Sequence, residues 1–343
     1  MLGIALILSI SLILVAESQN QGDTNNNDDF SINLPYLFLQ NGTNQIYTTR
    51  LSINSTNGHC QMLYLDENSQ VVKIIDLTKI KYQQNGYGYW LWASDMYDVD
   101  LDQLSDQGVR YIFLQSTAFN QYGQRDVIEW VKKANDQGIE VHIWMQVFYQ
   151  GDWSSPVSKN GTINNALFNQ KIEEARYYAR LDGISGIQLD YLRFEGTANQ
   201  YNNSTESINT FVKKCCEEIR KINPGLTISA TVMPETSNNP YYYGQDVATI
   251  GNYVDVICPM IYKGNYEQNT SWIKNITEWY VNNSNASIWC GLQSYRSDFN
   301  ISELPLDEIS RDASQCYDGG AENVIIFRWG MNDELDKKGL RLL

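Results

Sequence analysis

Two histidines, seven prolines and six cysteines are all that the 343 residues hold of those types. His59 and His142 alone cannot build a histidine-rich metal site, which disfavours a metal-dependent deacetylase or esterase. No G-x-S-x-G elbow is present for a serine hydrolase either. Cys60, Cys215, Cys216, Cys258, Cys290 and Cys316 show no metal-ligand spacing. Their even number permits disulfides in an exported protein, and Cys258 and Cys290, set in apolar runs, are expected as buried thiols or a bridge. Basic residues are scarce too. Lys and Arg number 25 against 40 Asp and Glu, a net charge of −15. Without a basic patch, nucleic acid is not a partner. No cofactor is implied.

What is abundant is aromatic and amide. The chain holds 23 Tyr and 9 Trp, and charged residues make up only 19%. The first stretch, "MLGIALILSISLILVAES", carries no charge before Glu17. Its apolar run of about 15 residues falls short of the ~20 a membrane span needs. Residues 1–18 therefore read as a signal peptide. The first basic residue is Arg50, so a basic leader region is missing and membrane anchoring through residues 1–16 stays open. Residues 19–30 are a polar spacer. Sequons at Asn41, Asn54, Asn160, Asn202, Asn203, Asn269, Asn275, Asn282, Asn285 and Asn300 agree with an extracellular or cell-surface location.

Residues 31–80 show strand-like runs separated by "NGTN", "NSTNG" and "ENSQ" turns, which predicts a small β-rich appendage. From residue 86 the pattern changes. Eight short apolar runs occur, at 86–95, 109–117, 140–148, 186–194, 227–235, 254–262, 287–295 and 323–330. Amphipathic stretches separate them, including 125–138, 165–183, 207–225, 270–283 and 306–322, and "ELDKKGLRLL" suits a short last helix. Strand–helix alternation implies parallel strands with helical crossovers. Eight such units over 86–343 predict an α/β fold, a (β/α)8 TIM barrel with a small N-terminal β appendage. An open doubly wound sheet is the runner-up, weakened because "WLWASDMYDVD" stands where its glycine-rich phosphate loop would be.

In a (β/α)8 enzyme the active site forms at the C-terminal ends of the strands. Those ends carry Asp95, Gln115, Gln146, Asp190 with Arg193 and Glu195, Glu235, Tyr262 with Lys263, Gln293 with Tyr295, and Arg328 with Trp329. Carboxylates, amides and aromatic rings in one place suit sugars. Amides and carboxylates bind hydroxyls, and aromatic faces stack on apolar C–H faces. Glycoside hydrolysis needs two carboxylates across one bond. Asp190 is assigned as nucleophile or base and Glu235 as acid, with the roles open to reversal. Arg193 is expected to keep Asp190 ionised. Glu235, among Met233, Pro234 and "TSNNPYYY", is expected in a less polar setting that suits an acid. Asp95, Gln146, Arg193, Tyr262, Lys263, Gln293, Tyr295 and Trp329 are the substrate-binding candidates, Glu195 a substitute acid and Trp144 a further stacking candidate. The bland readings are an Asp190–Arg193 ion pair and a solvated Glu235. His142 is expected to be a satisfied structural histidine.

At "DGISGIQLDYLRFEG" (182–196) the chain resembles the D-G-I-x-x-D-Y-[IV]-R-[FY]-P motif of a largely uncharacterised group of glycoside-hydrolase-like barrels. It is more distantly similar to chitinase-type family 18 glycosidases, whose fourth strand reads D-G-x-D-x-D-x-E. "PMIYKGNY" and "NVIIFRWG" resemble their sixth and eighth strands. Aligned on Asp190, the chitinase acid falls at Leu192 and an earlier aspartate at Gln188, so substrate-assisted chitinase chemistry is not implied. The first group fits over roughly 86–330 and implies a glycosidase. An acidic, Asn-rich exported chain of this type also looks like surface proteins of methanogenic archaea, which would make a cell-wall glycan the substrate. Together these readings predict an extracellular glycoside hydrolase acting on a polysaccharide or oligosaccharide. The rival is a non-catalytic carbohydrate-binding surface protein on the same scaffold.

Overall fold

A computed structural model of the chain describes residues 86–340 and, as backbone, residues 30–41, 44–56, 59–65 and 71–76. The expected signal peptide or anchor (1–18) and, apart from Phe30, the spacer (19–30) lie outside the described residues. Two compact units separate between Gln83 and Gln84. The first holds an antiparallel meander of β1 (Phe30–Asn41), β2 (Asn44–Thr56), β3 (His59–Leu65) and β4 (Val71–Asp76) in that order. Its register pairs Asn41 with Asn44 and Thr56 with His59.

The second unit is a closed barrel of eight parallel strands. They are β5 (Tyr87–Leu91), β6 (Val109–Gln115), β7 (Glu140–Gln146), β8 (Gly186–Asp190), β9 (Thr227–Val232), β10 (Val256–Pro259), β11 (Ser287–Gln293) and, after a hairpin of β12 (Tyr295–Ser297) and β13 (Asn300–Glu303), β14 (Asn323–Phe327). Pairing of β14 with β5 closes the ring. Each of the eight runs read from the sequence contains one strand, so the TIM barrel expected from them is the fold. Helices lie between the strands at Gln124–Asp136, Asn165–Ala179, Ser204–Ile222, Thr270–Asn283 and Leu306–Asp318. The third stops at Ile222 rather than 225, because Asn223 precedes a proline and adopts an extended backbone. None of the described helices is long and apolar enough to cross a membrane.

Side chains alternate across the strands with period two. Outward residues such as Ile112, Leu114, Ile143, Ile187, Leu189 and Ile228 pack beneath the helices. Inward residues form a separate, strongly aromatic cluster of Trp90, Tyr111, Phe113, Trp144, Val256, Cys258, Trp289 and Ile325. Two inward polar groups share that interior. Gln188 accepts from Trp90 Nε1 at 2.6 Å, so the indole N–H is not orphaned. His142 sits among the rings of Tyr111, Phe113 and Trp289 at centroid distances of 6.1, 4.9 and 5.9 Å. Neither of its nitrogens has a hydrogen-bond partner among the described residues, and Glu140 comes only to 3.9 Å. His142 is structural as expected but not satisfied. The side chains that surround it are aromatic, and rings offer no conventional acceptor.

Cys215, Cys216, Cys258, Cys290 and Cys316 are buried free thiols. Burial raises the pKa of Cys258, and pushes that of Cys216 up to about 12. Thiols so placed are inert packing groups rather than nucleophiles.

Space inside the barrel is tight where β7, β8 and β9 meet. A Cβ on Gly186 would lie 2.5 Å from both His142 Nδ1 and the Thr227 carbonyl oxygen. The carbonyl belongs to the ladder and cannot swing away. Gly186→Ala is therefore expected to cost about 1–3 kcal/mol, the range for overpacking, as a lower urea midpoint with unchanged slope. An unaltered midpoint would show that the interior yields at this point.

Candidate active site

The period that packs the interior also builds a cleft. One step of two residues beyond the inward core layer, the same strands leave the barrel and line a cavity of about 440 Å³. Trp90 leads to Trp92, Phe113 to Gln115, Trp144 to Gln146, Gln188 to Asp190, Cys258 to Met260 and Ile325 to Phe327. The second residue of each pair lines the cleft, with Thr231 and Met233 from β9.

Asp190 is the buried carboxylate of this cleft, only 7% exposed. Three donors hold it. Trp144 Nε1 donates to Oδ2 at 2.7 Å, the Tyr191 amide donates to Oδ1 at 2.8 Å, and the Thr231 hydroxyl donates to Oδ1. A carboxylate buried this deeply has to be hydrogen-bonded. Tyr191 reaches its position with φ at 51°, a left-handed conformation that a bulky residue rarely adopts. That turn of the backbone carries its N–H back to Asp190.

Arg193 makes no ion pair with Asp190 among the described residues, so the reading of the two as a structural ion pair is set aside. It lines the same cleft, but its guanidinium lies over Trp153 at 4.7 Å, Tyr191 at 5.3 Å and Tyr243 at 5.5 Å. The uncharged donors around Asp190 take the place the ion pair would have filled.

Glu235 follows β9 and is half-buried. Its Oε1 accepts from Tyr266 at 2.7 Å and Tyr243 at 2.9 Å, while Oε2 is buried without a partner among the described residues. It is therefore not a solvated loop carboxylate. Burial, then the charge of Glu235, raises both phenols, Tyr243 to about 12, so they remain donors. Tyr266 lines the cleft, and Glu235 stands behind it.

The other candidates divide. Gln146 and Tyr262 line the cleft. Tyr262 stacks on Phe327 at 5.7 Å, and desolvation, then the charge of Asp190, keeps its hydroxyl protonated. Gln293 and Tyr295 point to a carboxylate absent from the sequence reading, Asp298, donating to its Oδ1 at 3.0 Å each. Asp298 lines the cleft from the β12–β13 turn, and Asn265 donates to its other oxygen at 2.8 Å. Asp95 is not on the cleft wall. It binds Arg328 at 2.8 Å, and Arg328 lies 3.5 Å over the ring of Trp92, so Asp95 positions a cleft residue through another side chain. Trp329 packs against the helix–strand core. Glu195 is not among the lining residues.

Lys263 departs most from expectation. Its ammonium is held by Asp312 at 2.8 Å, Glu308 at 2.9 Å and Thr270 at 3.0 Å. It anchors the helix Leu306–Asp318 and does not line the cleft. Next to it, Gly264 packs so closely on the hairpin that a Cβ would overlap the Arg296 carbonyl oxygen. That contact sets Asn265 beside Asp298.

Residues missed from sequence had two kinds of signal. Trp92 is two positions beyond the inward Trp90, so strict alternation would have found it in place of Asp95. Asp298 lies in "RSDFN", a turn between two short strands inserted before the last helix, where no barrel period operates.

Residues 153–286, less than half of the chain, match the family model described as "Putative glycosyl hydrolase domain". No curated protein matches the sequence. Among solved structures, the barrel is similar to a class V chitinase from Pseudomonas fluorescens Pf-5, with a TM-score of 0.56 and 14% identity over 75% of this chain and 100% of that one. It is similar to the spore cortex-lytic enzyme SleL from Bacillus megaterium, with a TM-score of 0.53 and 11% identity over 76% of this chain and 75% of that one. A β-galactosidase from the haloarchaeon Halorubrum lacusprofundi gives a TM-score of 0.55 and 11% identity over 71% of this chain and 52% of that one. The chain spans about half the length of that enzyme and of the β-galactosidase from Marinomonas ef1. At such identities the likeness establishes the fold alone.

Lys263→Met would leave Asp312, with a side chain only 5% exposed, without its cation. A loss of about 3 kcal/mol in unfolding free energy is expected, as for other broken buried pairs, read from chemical denaturation. A normal midpoint combined with weakened glycan binding would return Lys263 to the cleft.

Proposed function

We propose that this protein is an exported glycoside hydrolase acting on a polysaccharide. The observation that carries the reading is Asp190, a nearly buried carboxylate at the mouth of a TIM barrel, held by three uncharged donors in a cleft walled by tryptophan, tyrosine, glutamine and asparagine. Such a wall suits a sugar ring, with stacking faces for its C–H surfaces and amides for its hydroxyls. Acyl or phosphoryl transfer would call for a thiol, a triad or a cluster of cations. The match of residues 153–286 to a glycosyl hydrolase model supports the same chemistry, as do barrels named for galactoside- and chitin-cleaving enzymes.

In this mechanism Asp190 attacks the anomeric carbon or activates a water there, and a second carboxylic acid protonates the leaving oxygen. Glu235 is assigned that second role. Its unpartnered, buried Oε2 is the atom that would carry the proton, while the two tyrosines hold Oε1. The apolar N-terminal run, ten sequons and a sequence low in charge support a location outside the cell, where a wall glycan would be the substrate.

The non-catalytic carbohydrate-binding reading draws on one observation. Glu235 is not itself on the cleft wall, whereas Tyr266, in front of it, is.

Reducing-end release from a panel of wall and storage polysaccharides decides between them, comparing wild type with Asp190→Asn, Glu235→Gln and Asp298→Asn. Losses of at least about 10²-fold in the first two variants are expected, the lower range for acid–base groups. Loss in Asp190→Asn and Asp298→Asn, with Glu235→Gln active, moves the acid to the hairpin. Binding without release by the wild type would leave the binding protein as the answer.

A further inference from the structure

Arg193 is the one cationic side chain on the cleft wall among the described residues. Arg328, at the same end of the barrel, spends its charge on Asp95. Arg193 has no carboxylate at ion-pair distance among the described residues. Nη1 donates to the Phe194 carbonyl at 3.1 Å, and Nε is buried with no partner. Trp153, Tyr191 and Tyr243 hold the guanidinium by their faces. Ring faces steady a cation but accept no ordinary hydrogen bonds. Nη2, which is not among the buried donors, makes no hydrogen bond among the described residues and so leaves N–H groups of the guanidinium for a ligand.

The chemistry that suits those N–H groups is narrow. A guanidinium presents parallel N–H groups that match the two oxygens of a carboxylate. A sugar hydroxyl supplies one acceptor and no charge. The remaining charged groups on the wall, Asp190 and Asp298, are negative, and the chain carries a net charge of −15. Arg193 is therefore the place on this wall where an anionic group finds an opposite charge.

We propose that the cleft takes a glycan bearing carboxylates, a uronic acid or a carboxyl-substituted sugar, with one carboxylate seated on Arg193. This rests on the reading of the cleft as a glycan site, and names the class of glycan. The carboxylated unit lies on the β8–β9 side, beside Trp153 and Tyr243. Arg193 is there a specificity residue and takes no part in bond breaking.

Matched pairs of ligands test it. Galacturonate-, glucuronate- and mannuronate-containing oligosaccharides are compared with their carboxyl-reduced neutral counterparts. Titration calorimetry on the Asp190→Asn protein measures binding apart from cleavage. At least one acidic member is expected to bind tenfold or more tighter than its neutral counterpart, about what a charge-assisted hydrogen bond provides. Added salt narrows that ratio. Arg193→Gln brings it close to one, and Arg193→Lys retains part of it. Equal or tighter binding of every neutral member overturns the inference. So does a ratio that survives Arg193→Gln, or no binding by any acidic member. Hydrolysis of the same pairs by wild type is read separately. Preference without cleavage removes the hydrolase and leaves the recognition. Cleavage without preference does the reverse.

Discussion

A carboxylate at 7% exposure has to be matched by donors, and the geometry at the barrel mouth follows from how Asp190 meets that demand. Its donors come from the two strands flanking β8 and the turn after it: Trp144 on β7, Thr231 on β9 and the Tyr191 amide. The ladder places Gln146 opposite Asp190 and Gln188 opposite both Trp144 and Ser229. A slip of one residue in any of the three strands would turn its inward set outward. It would turn Asp190 outward beneath the helices, or turn Trp144 or Thr231 away from it. The register of one side of the barrel and the position of the site are thus one constraint. The left-handed φ of Tyr191, a strain on the order of 1 kcal/mol, is tolerated because it completes the set.

The same alternation divides labour along each strand. Outward residues bury the helices. The first inward layer fills the barrel with Trp90, Phe113, Trp144 and Trp289, and the next inward residues face the cleft. A floor of packed rings is dry and stiff. Hydrogen bonds above it are stronger than in water, and a side chain there is held by what it packs on. The indole of Trp144 takes part in both layers, with its ring in the core and its N–H on Asp190.

This division also governs what could be read from sequence. Strand count, strand direction and Asp190 were legible because the eight runs repeat one pattern, and "GIQLD" ends on a residue of inward parity. Gln115 and Gln146 followed for the same reason. The expectation that Asp95 and Trp329 face the cleft sets the strand ends too late, by four residues at β5, which stops at Leu91, and by two at β14, which stops at Phe327. Lys263 was misjudged for a different reason. Its partners, Glu308 and Asp312, lie more than forty residues away, and no local pattern announces a pairing of that range. Asp298 belongs to a hairpin inserted between barrel units, so its position depends on Gly264 and Arg296 touching rather than on any period.

Uncharged donors around Asp190 also explain why Arg193 is free for another use. A guanidinium bonded to Asp190 would fix the carboxylate equally well, but it would cancel the charge needed to stabilise a developing oxocarbenium ion in the proposed reaction. Trp144, Thr231 and a backbone amide fix the geometry and leave the net charge in place. Arg193, three residues along, still needs a setting in which a cation is tolerated. Three aromatic faces supply it without neutralising it. Charge is thereby kept separate on the two sides of one cleft, negative where bonds would break and positive where an acidic substrate would be held. Had Arg193 and Asp190 paired, the cleft would bind sugars through hydroxyls alone. The separation gives the site two ends, and with them a direction in which an acidic chain with its carboxylate on Arg193 would lie.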